Sequence, residues 1–341
     1  MRPHRTTQAD VAKEAGVSVA TVSYVASGRR DRKNAATPEI TRRVLAAMEK
    51  LDYTPARAGR VLARSRTGLI AVVTHAPFNP WALGVINLLE EIAAEHDLAV
   101  IIQHYGHGAG ATDRIEQHLL EGIADAALVI GAGFASPRLR RVGRHIPVLV
   151  MNETTRPGGF DVMLQQEEAA ARVAGEHLIE LGVRRPAFLL HGHTRGGRQQ
   201  RLDGFRSAFI DHGFAAQAIT VAEDTDQAFA GFLDARHIAT ELLDRPAGKR
   251  PDAIMAHSDR AAISTIWAAT QLGISIPQEL KVIGAGNIVE GSALRPALTT
   301  IGNEVDEFRP VLARLIARID DPTIKTGTVN VPWRLIARDS A

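Results

Sequence analysis

Residues 10–28 read DVAKEAGVSVATVSYVASG, two short apolar stripes hinged on one glycine. Val11, Ala12 and Ala15 fall at helical spacing and make a narrow stripe that packs closely against a neighbour. Gly16 suits the left-handed turn at a helix C-terminus, and Ser18, two residues on, is a good N-cap for a second helix. In that second helix Val22 and Val25 share one side, Val17 plugs the turn and Gly28 marks the end. Left outside are Ser18, Val19, Ala20, Thr21, Ser23 and Tyr24, a face of short side chains and hydroxyls that fits deep in a groove. A helix-turn-helix lays its second helix in the DNA major groove, with N-terminal residues on base edges and hydroxyls and backbone N–H groups on phosphates. A generic helical hairpin has the same pattern, so the segment alone leaves both readings open.

The flanking sequence extends the motif. Thr37 as N-cap and Pro38 at the first helical position open a third helix, with Ile40, Val44, Met48 and Leu51 at spacings of four, four and three. The loop RRDRKN at 29–34 is basic and is read as phosphate-contacting, an ordinary solvated turn being the alternative. Pro55 ends the third helix. Residues 56–63 then offer a turn or two of helix flanked by Arg57, Arg60 and Arg64; with Gly59 inside it, so short a segment orders only against a partner.

Charge sharpens this reading. The formal net charge is +2, but residues 1–66 hold fourteen Lys/Arg against six Asp/Glu, which is +8, and the remaining 26 against 32 give −6. A basic head on a mildly acidic body is the layout of a protein whose head meets a polyanion. A solvated basic surface is the alternative. The absence of cysteine excludes disulfides, thiolate metal sites and cysteine nucleophiles. No run of 18 apolar residues occurs, and the opening MRPHRTTQAD has no apolar segment after its positive charges, so a cytoplasmic protein with no membrane partner is expected.

From Thr67 onward apolar runs alternate with amphipathic stretches: GLIAVVT, NLLEEIAAEH, LAVIIQH, TDRIEQHLLEG, AALVIGA. This is a parallel α/β pattern. It restarts after residue 165 with AAARVAGEHLIELG, PAFLLHG, GFRSAFIDHG, AIMAHS and KVIGAG, so two doubly wound lobes are expected, with a ligand cleft beyond the carboxyl ends of their strands. Enzymatic readings find little support. GHGAG at 106–110 lacks full GxGxxG spacing, the pairs His104/His107 and His191/His193 come with no HExxH, and Ser258–Asp259 has no GxSxG elbow. Neither a catalytic residue nor a metal site nor a cofactor is expected.

At this point the chain resembles the LacI/GalR family of bacterial transcription regulators. The stretches that carry the resemblance are DVAKEAGVSVATVS, TPEITRRVLAAMEKLDYTPARAGRVLA, FNPW near residue 80, RLDGFRSAF, AIMAHSDRAAI, LGISIPQELKVIG, RPALTTI and PWRLIARDS, which span nearly the whole chain in the family's order. The head motif and RPALTTI are the specific ones. The resemblance implies an all-α helix-turn-helix head at 1–54, a hinge helix and linker at 55–66, and an α/β two-lobed periplasmic-binding-protein-like core at 67–341. Its N-lobe is expected at about 67–163 and 302–325, its C-lobe at about 164–301 and 326–341.

The resemblance also assigns residues. It implies Val19, Ala20 and Tyr24 on base edges and Ser18, Thr21 and Ser23 on phosphates, with the hinge cations Arg57 and Arg60 beside them. Leu62 matches the leucine that wedges into the minor groove and kinks the duplex. Tyr24 stands where many members carry arginine, which removes a bidentate guanine contact. For the effector cleft it implies Phe78, Asn79 and Trp81, Asn152, Arg201, Ser258, Asp259 and Asn287. Arg201 matches the arginine that holds effector oxygens with its rigid fork, a helix-surface salt bridge being the alternative. Ser258 replaces an asparagine, and Gly286 stands where many members place an acid; both remove polar reach, so a simple neutral sugar held in the usual way is not expected. The expected protein is a homodimer or larger assembly, a repressor more than an activator, binding a near-palindromic double-stranded operator under control of a small polar effector. The rival readings are a cytoplasmic small-molecule-binding protein and an α/β enzyme with a regulatory helical head.

Overall fold

The computed structural model describes residues 6–27, 36–54, 66–75, 79–105, 110–131, 136–151, 155–191, 197–224 and 234–341. The chain divides into two units at Gly68.

The first unit holds α1 (Gln8–Ala15), α2 (Val19–Ser27) and α3 (Pro38–Lys50). Each start is chemically specified. Thr7 and Asp10 form a capping box on α1, Thr37 caps α3 with Pro38 behind it, and Gly16 closes α1 at φ 63°. Val11, Ala12, Ala15, Val22, Val44 and Ala47 make the buried centre, with Val17, Val25, Ile40, Met48, Leu51 and Tyr53 packed around it. Arg43 donates to the carbonyl oxygens of Ala15 and Gly16, placing a cation at the C-terminus of α1 where the helix dipole favours one. The expected stop at Gly28 and the loop 29–34 lie outside the described residues.

The second unit contains two six-stranded sheets. The first lobe runs β1 (Leu69–Thr74), α4 (Pro80–Ala94), β2 (Ala99–His104), α5 (Ala111–Leu120), β3 (Ala126–Ile130), α6 (Ser136–Gly143), β4 (Val148–Met151) and β5 (Asp161–Leu164). The chain then crosses over to α7 (Glu167–Glu180), β6 (Pro186–His191), α8 (Gly197–Asp211), β7 (Thr220–Asp224), α9 (Asp234–Leu243), β8 (Ala253–Ala256), α10 (Asp259–Gln271), β9 (Lys281–Ala285), α11 (Val289–Ala293) and β10 (Thr299–Gly302). It returns as α12 (Arg309–Asp320) and β11 (Thr328–Asn330), and crosses once more to β12 (Arg334–Ile336).

Sheet order is β11-β5-β4-β3-β1-β2 in the first lobe and β12-β10-β9-β8-β6-β7 in the second. All pairs are parallel except β10–β12, an antiparallel edge on an otherwise parallel sheet. The strands alternate between two cores. Ile70 and Val72 of β1 face α4 and α12, while Ala71 and Val73 face α5 and α6. In the second lobe Ala187 and Leu189 of β6 face α9 and α10, and Phe188 and Leu190 face α7 and α8. Strand β11 pairs with β5 in the first sheet and Val331 packs in the first lobe's core, so residues 328–331 lie with the first lobe and not, as expected from 326 on, with the second. The return is anchored by Asp161, 1% exposed, whose carboxylate accepts from Arg318 at 3.1 Å, Arg314 at 3.3 Å and the Gly327 N–H at 2.8 Å. Among the described residues no helix is long and apolar enough to cross a membrane.

Candidate functional site

In the first unit the Ser18 hydroxyl accepts from the Thr21 N–H at 3.1 Å and lies 2.9 Å from the Thr21 hydroxyl, which caps α2. With Val22 fully buried on one side, Ser18, Val19, Ala20 and Ser23 are exposed and Thr21 and Tyr24 half-exposed. All six therefore lie outside the three-helix core and accessible from solvent. Arg57, Arg60 and Leu62 lie outside the described residues.

In the second unit a cavity of about 390 Å³ opens at the carboxyl ends of both sheets. Thr74 and His75 reach it from the end of β1, Ile130 and Gly131 from β3, Met151 from β4, His257 and Ser258 from β8, and Ala285 and Gly286 from β9. Strands β1 and β6 are the switch points, each flanked on both sides by strands that follow it in sequence, and such crevices are where open α/β sheets bind ligands.

Asn79, Trp81, Arg201, Ser258 and Asp259 all line this cavity. Asn79 caps α4, its Oδ1 accepting from the N–H groups of Trp81 at 3.0 Å and Ala82 at 3.3 Å. Trp81 packs edge-on against Phe308, with centroids 6.1 Å apart, and touches the apolar cores of both lobes. Ser258 caps α10 through the Ala261 N–H at 3.3 Å. Arg201 is already committed: Nε lies 2.7 Å from Glu167 Oε2 and donates to the Gly197 carbonyl at 3.1 Å, Nη1 donates to the His257 carbonyl, and the guanidinium sits 5.4 Å above the Trp333 ring. It forms a salt bridge, but one buried in the cleft instead of on a helix surface.

Asp259 is 1% exposed, accepting from the Thr300 hydroxyl at 2.5 Å and from the Ile288 N–H at 2.7 Å. Burial raises its pKa to about 6, against the lowering effects of those two hydrogen bonds and of the Arg338 and Arg201 charges.

One expected residue is displaced from the site. Asn287 is not among the residues lining the cavity; its amide donates to the Asn303 carbonyl at 3.0 Å and to Glu304 at 3.2 Å, and accepts from Arg338 at 2.6 Å. The cause is local: Asn287 adopts φ 54°, which turns its side chain to the interlobe crossover at Asn303. Its neighbour Gly286 has φ 129°, a conformation that L side chains rarely adopt, so this loop as built does not suit a carboxylate at 286. Phe78 and Asn152 lie outside the described residues, as do residues 106–109 and His193. Among the described residues no group of three or more His, Asp or Glu is placed to hold a metal ion.

Among the cleft residues that the sequence did not single out are Glu167, Arg198, His257 and Trp333. Arg198 lies one helical turn before Arg201, a spacing that puts both on one face, and Trp333 sits in the PWRLIARDS stretch. His257 sits in the AIMAHSDRAAI stretch, and Glu167 carries no local signal. Burial and the adjacent Arg201 charge lower the Arg198 pKa from its ordinary value.

Residues 7–56 match the family described as bacterial regulatory proteins, lacI family, and residues 175–341 match the periplasmic binding protein-like domain. The chain is 27% identical over 339 residues to the ribose operon repressor of Escherichia coli K12, covering 98% of this chain and 99% of that protein. It is 26% identical over 328 residues to catabolite control protein A of Staphylococcus xylosus, covering 96% of each. Its fold matches that of the lac repressor dimer bound to operator and the anti-inducer ONPF, with a TM-score of 0.80, 21% identity and 99% of each chain covered. The chain thus carries a lacI-family DNA-binding domain followed by a periplasmic-binding-protein-like domain, and along nearly its full length it is similar to repressors of that kind.

Proposed function

We propose that the chain is an effector-controlled, sequence-specific DNA-binding transcriptional repressor acting as a dimer. The carrying observation is the solvent-accessible face of α2, with its capped N-terminus, in a unit of net charge +8. That face suits a major groove: Val19 and Ala20 for base-edge contact, Ser18, Thr21 and Ser23 for phosphates, and Tyr24 toward a base edge. Arg57, Arg60 and Leu62 are assigned to a hinge that orders on the duplex between two half-sites. Two heads related by a twofold axis call for a near-palindromic operator.

The effector is a small polar metabolite in the interlobe cleft, contacted by Trp81, Arg201 and Ser258, with Phe78 and Asn152 as further contacts. The relatives named above are regulators, and no catalytic role is assigned to this chain. The cytoplasm, where operator DNA is found, is its assigned location.

The test is selection of genomic fragments on the purified full chain, followed by gel shifts on the enriched sequence. A near-palindrome bound with at least tenfold preference over scrambled duplex is expected, and Tyr24→Ala is expected to relax that preference. A protein that ignores every duplex sinks the proposal.

A further inference from the structure

Two polar atoms in the cleft wall are left without partners by the fold. Trp333 is 8% exposed and borders the cavity, and its indole N–H has no hydrogen-bond partner among the described residues. Glu167, 6% exposed, borders the same cavity, and its Oε2 accepts no hydrogen bond among them. That oxygen lies 2.7 Å from Arg201 Nε, but this nitrogen carries one proton and donates it to the Gly197 carbonyl at 3.1 Å, so the two charges attract without sharing a proton. An indole nitrogen only donates and a carboxylate oxygen only accepts. Both atoms are sealed from water, which makes each costly as it stands.

Topology brings the two residues together. Glu167 opens α7 straight after the first passage of the chain between the lobes, and Trp333 lies on the last passage, one residue before β12. The Trp333 backbone N–H donates to the Gln165 carbonyl at 2.7 Å, which holds these passages side by side. Arg201 bridges them, its guanidinium 5.4 Å above the Trp333 ring and its Nε beside Glu167. Gly197 makes room for this arrangement, since a Cβ there would run into the Glu167 carboxylate.

The chemistry of the two atoms selects a ligand. A carboxylate or phosphate brings acceptors alone and meets Glu167 with like charge; an ammonium brings donors alone and meets Arg201. A hydroxyl gives and takes a hydrogen bond and carries no charge. We propose that Trp333 and Glu167 form a hydroxyl-reading subsite on the crossover side of the cleft, where neighbouring hydroxyls of a neutral, monosaccharide-sized effector accept from Trp333 Nε1 and donate to Glu167 Oε2. A small turn of either side chain brings its polar atom to the cavity it borders, and the ligand supplies the partners that the fold withholds. The cavity of about 390 Å³ suits a molecule of that size. These two residues stand on elements other than those of Ser258 and Gly286, where the sequence gives up polar reach. The proposal rests on the reading of the cleft as the effector site.

The experiment titrates the full chain with D-ribose, D-glucose and D-galactose, and with D-gluconate as the charged counterpart, by calorimetry and by proton–nitrogen spectra of its three indole N–H groups. Trp333→Phe, which keeps an aromatic ring and removes the N–H, assigns the Trp333 resonance by its loss. At least one of the sugars is expected to bind about tenfold or more tighter than gluconate and to shift that resonance. Trp333→Phe is expected to weaken this sugar about three- to tenfold, and Glu167→Gln about tenfold or more. Among the monodeoxy forms of the same sugar, one is expected to bind the parent chain more weakly by the factor that Trp333→Phe costs, and to lose nothing further in Trp333→Phe. Thermal midpoints read without ligand separate lost binding from lost folding, and Trp333→Phe keeps the test decisive where Glu167→Gln strips Arg201 of its counter-charge. No binding by any of the sugars, gluconate binding as tightly, an unmoved Trp333 resonance, equal affinity in folded Trp333→Phe, or a loss in that variant shared alike by every deoxy form overturns the proposal. Gel shifts on the parent chain keep the two readings apart: duplex binding that persists while no sugar binds leaves the regulator standing without the subsite, and sugar binding without duplex binding does the reverse.

Discussion

Asp259 is a carboxylate whose proton affinity the fold has raised. Its pKa near 6, driven by burial, lies above the ordinary aspartate value of 3.8. The folded state therefore holds the proton more tightly than the unfolded state. The resulting stabilisation is fully present below pH 4 and is lost as pH rises through 6. The body is expected to lose up to about 3 kcal/mol of stability between pH 4 and 7 from this group. Denaturant melts followed by tryptophan fluorescence check this, since Trp81, Trp267 and Trp333 all lie in the second unit. Asp259→Asn is expected to flatten the slope in that window; an unchanged slope means that another group carries it. Asp161 is a structural anion, held by Arg314 and Arg318. Its replacement by alanine strips the partner from Arg318, itself 7% exposed, and is expected to cost about 3–5 kcal/mol, measurable in the same melts.

At the scale of elements, short-range chemistry decided most of what the sequence disclosed. Gly16, Ser18 and Thr37 are local signals whose partners lie within four residues, and each ends or starts a helix where the sequence places it; the Thr7 cap, which was not read from the sequence, is of the same kind. Thr7→Ala removes the hydroxyl half of the capping box on α1, leaving Asp10 to accept from the backbone N–H of residue 7, and is expected to destabilise the head by about 1 kcal/mol. Amide hydrogen exchange would show it as faster exchange in α1–α3 with the body unchanged. Buried strands were legible for the same reason: LIAVVT, AALVI and KVIGA are continuous apolar runs, as parallel strands covered on both faces require.

What stayed hidden depends on distance along the chain. Strand β11, TVN, has three residues and no apolar run, and it joins the first sheet only because β5 offers an edge more than 160 residues earlier. The Glu167–Arg201 pair and the Arg201–Trp333 stacking join positions 34 and 132 residues apart, so no window on the sequence contains them. The bonds of Asn287 to Asn303, Glu304 and Arg338 likewise join positions 16, 17 and 51 residues apart, and its positive φ is invisible in composition.

For the whole molecule the polarised charge is the feature with a measurable consequence. If the paired heads and hinges neutralise about 6–10 phosphates, operator affinity is expected to fall by about 10³–10⁵ between 50 and 200 mM salt. Filter binding across that range checks it, and a flat response contradicts it. Effector linkage is constrained as tightly: whatever factor the ligand imposes on operator affinity, operator must impose on ligand affinity. Trp81, in contact with the cores of both lobes, gives fluorescence a direct view of closure.

The return of the chain through both lobes has a consequence for biosynthesis. Residues 299–336 supply β10 and β12 to one sheet and β11 to the other, together with the helix that covers the first lobe's core. A ribosome that has made residues 1–298 has thus completed neither lobe, while the three-helix head, made of contacts within 55 residues, has everything it needs. The nascent chain carries a finished DNA reader ahead of an unfinished sensor, with open sheet edges that await its final segment.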